Sequence, residues 1–272
     1  MGYLILVDVI QAIHLNANSE FRSTELIIKL PMSDHDFGDV YSKFLVEISL
    51  PSDVTECEDA VLILLALFSD ILATQKVFSN LNLQPPQISK SDTDTDRILS
   101  HFVPFSASSE SRRMLSQLDG ALDRWSDRFR GSMPEEVLAL FHFSKICSIW
   151  PSVLLLPRYS GYTSMTPTAT STTLSTYPRA APPDEALRHA WLVLDNVNMR
   201  SQQDSFACPM WLPVVTYFSA LVVWWSLQPT TAPMNSIGSV KVLSMFKAEL
   251  EQMPWPCCKA MVKNLEELMC YR

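Results

Sequence analysis

A chain of 272 residues with 47% apolar content can bury a sizeable core, which excludes a wholly disordered protein. It holds only six glycines, about a third of the number that average usage would give, so tight β-hairpins and phosphate-cradling loops lack the residue they need. The formal net charge of −8 repels phosphate backbones and argues against unaided nucleic-acid binding.

Leu4 to Leu15 places Leu6, Val9, Ile10 and Ile13 on one helical face. It lacks a positive leading region, and Asp8 interrupts its apolar part, so it reads as a core helix and not as a secretory signal. A chain that starts inside a core helix suggests a preceding segment. In ELIIKLPMSDHDFGDVY, Glu25 to Tyr41, proline and an acidic turn separate a short apolar segment from Phe37 and Tyr41. Next comes EDAVLILLALFSDIL, Glu58 to Leu72, with eight consecutive apolar residues from Val61 to Phe68. Its leucine and alanine content and its unbroken run to Phe78 predict a helix buried on nearly every side, with Asp59 and Asp70 on one narrow polar stripe.

Residues 81–111 read as a polar connection with Pro85-Pro86 and SDTDTD. Asp92, Asp94 and Asp96 suggest a calcium loop, but Arg97 and Val103 occupy the positions where such a loop needs glycine and glutamate. Leu115, Leu118, Leu122, Trp125 and Phe129 then mark an amphipathic helix ended by Gly131. Ser132 and Glu135 have the spacing of a capping box for a helix from Glu135 to Trp150, which Pro151 stops.

Residues 157–183 form a loop of different character. Eleven of the 18 residues from Ser160 to Tyr177 are serine or threonine, too little apolar area to offset ordering entropy, so a mobile loop is expected. Leu187, Ala190, Trp191, Leu194 and Val197 predict the next helix, and Ser205 to Val240 contains no charged residue. Its centre, WLPVVTYFSALVVWWSL, Trp211 to Leu227, has aromatics at both ends like a membrane span. Its 17 residues, Pro213 and four hydroxyl side chains favour a core helix. Val240 to Gln252 and Lys259 to Tyr271 close the chain as amphipathic helices. The expected fold is all-α: an irregular multi-helix bundle, one domain over 1–272, with long Ser/Thr/Pro-rich loops near 81–111 and 157–183.

No nucleotide loop, nucleophile elbow or zinc-protease motif is present, and there is no glycosylation sequon. The cysteines at 57, 147, 208, 257, 258 and 270 contain no C-x-x-C and read as reduced thiols of an intracellular protein. His142 and Cys147 lie five apart on one helix and point in different directions. Glu135-Glu136 and Glu266-Glu267 read as helix-end or surface charges. No catalytic, cofactor-binding or metal-ligating residue is assigned, and no enzyme activity is expected.

Several segments in order resemble the fungal-specific transcription factor domain, the helical regulatory region that follows a zinc-cluster or zinc-finger module. They are LILVDVIQAIHL, STELIIKLPMSDHDFGDVY, DAVLILLALFSDIL, ALDRWSDRF and LALFHFSKICSIWP, with YFSALVVWW and CCKAMVKNLEEL similar in character. The resemblance spans Leu4 to about Leu268 and rests on helical packing signatures. It implies a nuclear transcription regulator, often of metabolic or secondary-metabolite genes, with protein partners and an effector-responsive helical domain. The zinc module is missing from these residues, so neither DNA contacts nor zinc ligands carry over, and zinc would belong only to an upstream module. Cytoplasmic localisation is the alternative to the nucleus. Two other classes remain open: a membrane-associated helical protein using 211–227, and a helical enzyme without a recognisable motif.

Overall fold

The computed structural model describes residues 7–8, 10–11, 23, 26–46, 53–81, 107–162, 181–202, 208–228 and 236–270. Among them, nine α-helices carry the architecture: α1 Phe37–Val46, α2 Cys57–Leu81, α3 Ala107–Phe129, α4 Glu135–Ile149, α5 Leu156–Tyr159, α6 Asp184–Ser201, α7 Leu212–Ser226, α8 Ser236–Gln252 and α9 Cys257–Cys270. Short 3₁₀ turns at Arg130–Ser132 and Pro151–Leu155 join α3 to α4 and α4 to α5. The only β pairing among the described residues is an isolated bridge between Lys29 and Asp36. The fold is all-α, as the glycine shortage and the apolar periodicities predict.

The helices pack as a serial stack. α1 lies on α3, α3 on α2 and α4, α4 on α6, α6 on α7, and α7 on α8, with α9 closing against α8. Among the described residues one apolar cluster draws on every one of these helices. The apolar run predicted as a buried helix is the middle of α2, where Ile63, Leu64, Leu67 and Phe68 are fully enclosed. α4 is more completely enclosed still: from Val137 to Ser148 only Leu138 retains partial exposure.

Rings link the layers. Phe44 of α1 stacks on Phe129 of α3 at 6.0 Å, and Trp125 of α3 stacks on Phe141 of α4 at 5.3 Å. On the far side of α4, Phe143 meets Phe68 of α2 and Phe218 of α7 edge-on, each at 5.7 Å. These offset and T-shaped geometries suit the quadrupoles of the rings. The Trp125 indole also donates its Nε1–H to the Ala60 carbonyl at 2.8 Å, fixing α3 on α2. Replacing Trp125 with Phe removes that bond and leaves a small cavity, and a loss of about 2 kcal/mol is expected. In a urea titration the midpoint falls with an unchanged slope; a changed slope would point to an altered unfolded or native state instead.

Three expectations change against the structure. Ser132 does not cap α4: its hydroxyl donates back to the Phe129 carbonyl at 3.0 Å, and the N-cap position is Pro134. The 3₁₀ turn at Arg130–Ser132 turns the serine toward the end of α3, away from the free amides of α4. The connection read as 81–111 loses both ends to helix, since Leu81 closes α2 and Ala107 opens α3. The loop read as 157–183 begins later, because Leu156–Tyr159 is helical and Pro157 and Ser160 are buried. Proline at a first helical turn is pre-set in φ and has no amide to satisfy there.

Pro213 sits likewise in the first turn of α7, whose 15 residues are buried from Leu212 to Val223. Among the described residues no single helix is long and apolar enough to cross a membrane; only α4 with the segment Pro151–Tyr159 passes together, across a 101° bend. The first predicted helix is described only at Val7, Asp8, Ile10 and Gln11, all helical. The Asp92, Asp94 and Asp96 run lies outside the described residues, as does most of the Ser/Thr-rich stretch.

Candidate functional site

The polar groups that this core encloses gather at a few joints between helices. The aspartates of α2 serve two of them. Asp59, fully buried, accepts the backbone N–H groups of Met32 and Ser33 at 2.9 and 3.0 Å, holding the turn after Pro31. Asp70 accepts the Tyr41 and Ser23 hydroxyls at 2.6 Å each. Burial pushes the Asp70 carboxyl upward, and the two hydroxyls restrain that rise. Both carboxylates thus stitch α2 to the chain before it.

The densest cluster lies where α3, α4 and α6 meet. α4 is enclosed all round, so each polar side chain on it must find its partner inside the protein. Lys145, 4% exposed, does so by placing Nζ 2.8 Å from Oδ1 of both Asp119 and Asp123. Those aspartates stand one turn apart on α3, so both carboxylates reach the same face. Burial works to discharge Lys145, but the hydrogen bonds it donates to the two carboxylates outweigh it, and the ammonium is held charged above its ordinary range.

One turn earlier on α4, His142 meets His189 of α6. Their Nδ1 atoms are 2.9 Å apart, and the rings are 3% and 4% exposed. Two Nδ1 atoms at hydrogen-bond distance require one donor and one acceptor, so the pair stands as neutral imidazoles of opposite tautomer. Burial is the main cause that depresses both: His142 is lowered to about 3, with His189 next in effect, and His189 to about 4, with Arg188 next. The charges facing the pair are Arg130 from the 3₁₀ turn, Arg188 from α6, Lys145 from α4 and Asp123 from α3. His189 Nε2 is buried without a hydrogen-bond partner among the described residues.

A third joint closes the other end of the stack. Tyr217 of α7 donates to Asn264 Oδ1 of α9 at 2.6 Å, and Asn264 Nδ2 donates to the Ser160 carbonyl at 2.8 Å. The Ser160 hydroxyl lies 3.2 Å from the Tyr217 oxygen, and Tyr162 packs on the Tyr217 ring at 4.8 Å. Burial drives the Tyr217 phenol well up, so it stays a neutral donor.

Other residues singled out from the sequence fall in bland positions. Cys147 is buried, its thiol pushed up by burial, and its carbonyl accepts from Gln75. It does not join His142, whose ring faces α6. Glu136 pairs with Arg200 at 3.2 Å, Glu266 with Lys247 at 2.7 Å, and Glu267 with Lys263 at 3.9 Å. Among the described residues no group of three or more His, Cys, Asp and Glu side chains is arranged to hold a metal ion.

The sequence held one signal for the histidine pair. His189 falls on the buried stripe of α6 with Ala186, Ala190, Val193 and Val197, and His142 sits in a helix with no polar face. Nothing in their spacing says that the two meet.

The fold and these joints define a class: an all-α stack of helices held by buried polar pairs. Comparison with models of known families, with curated proteins and with solved structures finds no match for this chain.

Proposed function

We propose that this chain is the helical regulatory domain of a transcription regulator, of the kind that in fungal transcription factors follows a zinc DNA-binding module. It acts through protein partners and an effector-sensitive packing, with no catalytic role. DNA is reached through a module in the same polypeptide or through pairing with an intact relative, and the site of action is the nucleus. Control of metabolic or secondary-metabolite genes fits this class.

The observation that carries the reading is where the resembling segments lie. DAVLILLALFSDIL, ALDRWSDRF and LALFHFSKICSIWP fall in α2, α3 and α4 and bond to one another, through Trp125 to Ala60 and through Lys145 to Asp123. Such segments are packing signatures, and mutual packing is what they should do. Regulation by an effector requires two packings close in energy that a ligand binds unequally. The α4–α6 joint, with a buried neutral histidine pair at its centre, suits that requirement.

The test fuses the chain to a heterologous DNA-binding module beside a reporter gene. The expected outcome is reporter output at least several-fold above or below that of the module alone. Output indistinguishable from the module alone, with the fusion folded and present in the nucleus, would contradict the proposal.

A further inference from the structure

Cys208, just ahead of α7, and Cys257 and Cys258, opening α9, belong to one corner of the protein. Trp255 joins the two segments. Its indole N–H donates to the Cys208 carbonyl at 3.0 Å, and its own carbonyl accepts the Cys258 N–H at 3.0 Å. The Cys208 backbone thereby lies against the turn that opens α9 two residues before Cys257. None of the three is in a disulfide; the Cys208 thiol donates to the Pro209 carbonyl at 3.8 Å, Cys208 and Cys257 are half-buried and therefore approachable, and Cys258 is buried.

We propose that these cysteines form an oxidisable thiol site: a hydroperoxide oxidises Cys257, and Cys208 then closes a disulfide that ties the segment entering α7 to the first turn of α9. The Cys257 sulfur attacks one peroxide oxygen and the O–O bond breaks. The leaving oxygen takes a proton and departs as alcohol or water, and Cys257 becomes a sulfenic acid. Cys208 attacks that sulfur, the S–O bond breaks, and a second water leaves with the Cys208 proton. Two thiols lose two electrons and two protons, and the hydroperoxide is reduced by the same two electrons.

Cys257 is the reactive member for physical reasons. It sits in the first turn of a 14-residue helix, where amide dipoles favour a thiolate. A hydrogen bond from Cys258 and backbone N–H groups lowers its thiol to about 7, against burial. Burial pushes Cys57, Cys147 and Cys208 up, and Cys258 rises as the donor to Cys257. Glu136 and Arg200 also face Cys208, and Tyr162 feels both Cys257 and Cys258. Because Tyr162 packs on Tyr217, closing the disulfide bears directly on the Ser160–Tyr217–Asn264 joint. The site stands on these contacts alone, whatever the chain regulates.

The experiment treats the reduced full chain with one equivalent of hydrogen peroxide, alkylates the remaining thiols and maps cysteines by mass spectrometry without reduction. The expected product is a Cys208–Cys257 linked peptide, with two thiols lost and both recovered by dithiothreitol. Cys270, exposed at the last residue of α9, is the internal control. Cys257→Ser abolishes the reaction at this dose, and Cys208→Ser leaves a sulfenic acid at Cys257 that dimedone captures. Oxidation led by Cys270, a link confined to Cys257 and Cys258, or thiols inert to peroxide would each overturn the proposal, as wild-type mapping alone would reveal.

Discussion

Lowering the pH from 7 to 5 is expected to destabilise this protein by about 4 kcal/mol through His142 and His189 alone. Both imidazoles have folded values, about 3 and about 4, far below the ordinary 6.5. Between those limits the unfolded chain binds protons that the folded chain refuses, so stability rises with pH across the window. It is fully present above about 6.5, falls as pH drops below that value, and levels off only near 3 to 4. The physical cause is plain: protonating both rings sets two cations 2.9 Å apart between α4 and α6, facing Arg130, Arg188 and Lys145, with Asp123 opposing them. Asp70 and Glu249, whose carboxyls burial raises, act in the opposite sense at lower pH. Urea titrations at pH 7, 6 and 5 on the wild type and on the His142→Asn/His189→Asn variant isolate the pair, because amides keep hydrogen bonding without titrating. The variant should lose most of the pH dependence. An equal slope in both proteins would show that the pair does not control it.

The Lys145 triad should respond asymmetrically to substitution. Changing Asp119 and Asp123 together to asparagine strands an ammonium that is 5% exposed, and a loss on the order of 2–4 kcal/mol is expected. Changing Lys145 to methionine strands carboxylates whose side chains are 32% and 61% exposed. Those turn to water, and methionine fills the ammonium's channel with a stem of similar length, so the loss should be about 1 kcal/mol or less. Thermal or urea unfolding of the two variants makes the comparison. Equal losses would mean that the aspartates, and not the buried lysine, carry the desolvation cost.

Much of this fold is legible in the sequence because burial and periodicity act locally. Leu118, Leu122, Trp125 and Phe129 announce the buried face of α3, and the absence of charge between Ser205 and Val240 announces α7. What the sequence does not reveal arises across space. The Ser132 hydroxyl had two backbone directions to choose from, and the 3₁₀ turn chose for it. Ser160 reads as the start of a polar loop, yet Tyr217 and Asn264, far along the chain, enclose it. The same holds for the joints. A lysine, two aspartates and two histidines on three helices have no motif, because motifs are local and these pairings depend on how α3, α4 and α6 cross. A functional site in the catalytic sense was not read from the sequence, and the polar clusters that the fold assembles are joints between helices.

We propose above that this stack works on transcription. Chromatin immunoprecipitation of the epitope-tagged protein, expressed from its own locus in its own cells, tests that most directly. Discrete enrichment at promoters is the predicted result, whether a module in the same polypeptide or a paired relative supplies the DNA contact. Background signal across the genome, with the tagged protein intact and abundant in the same cells, would contradict the account.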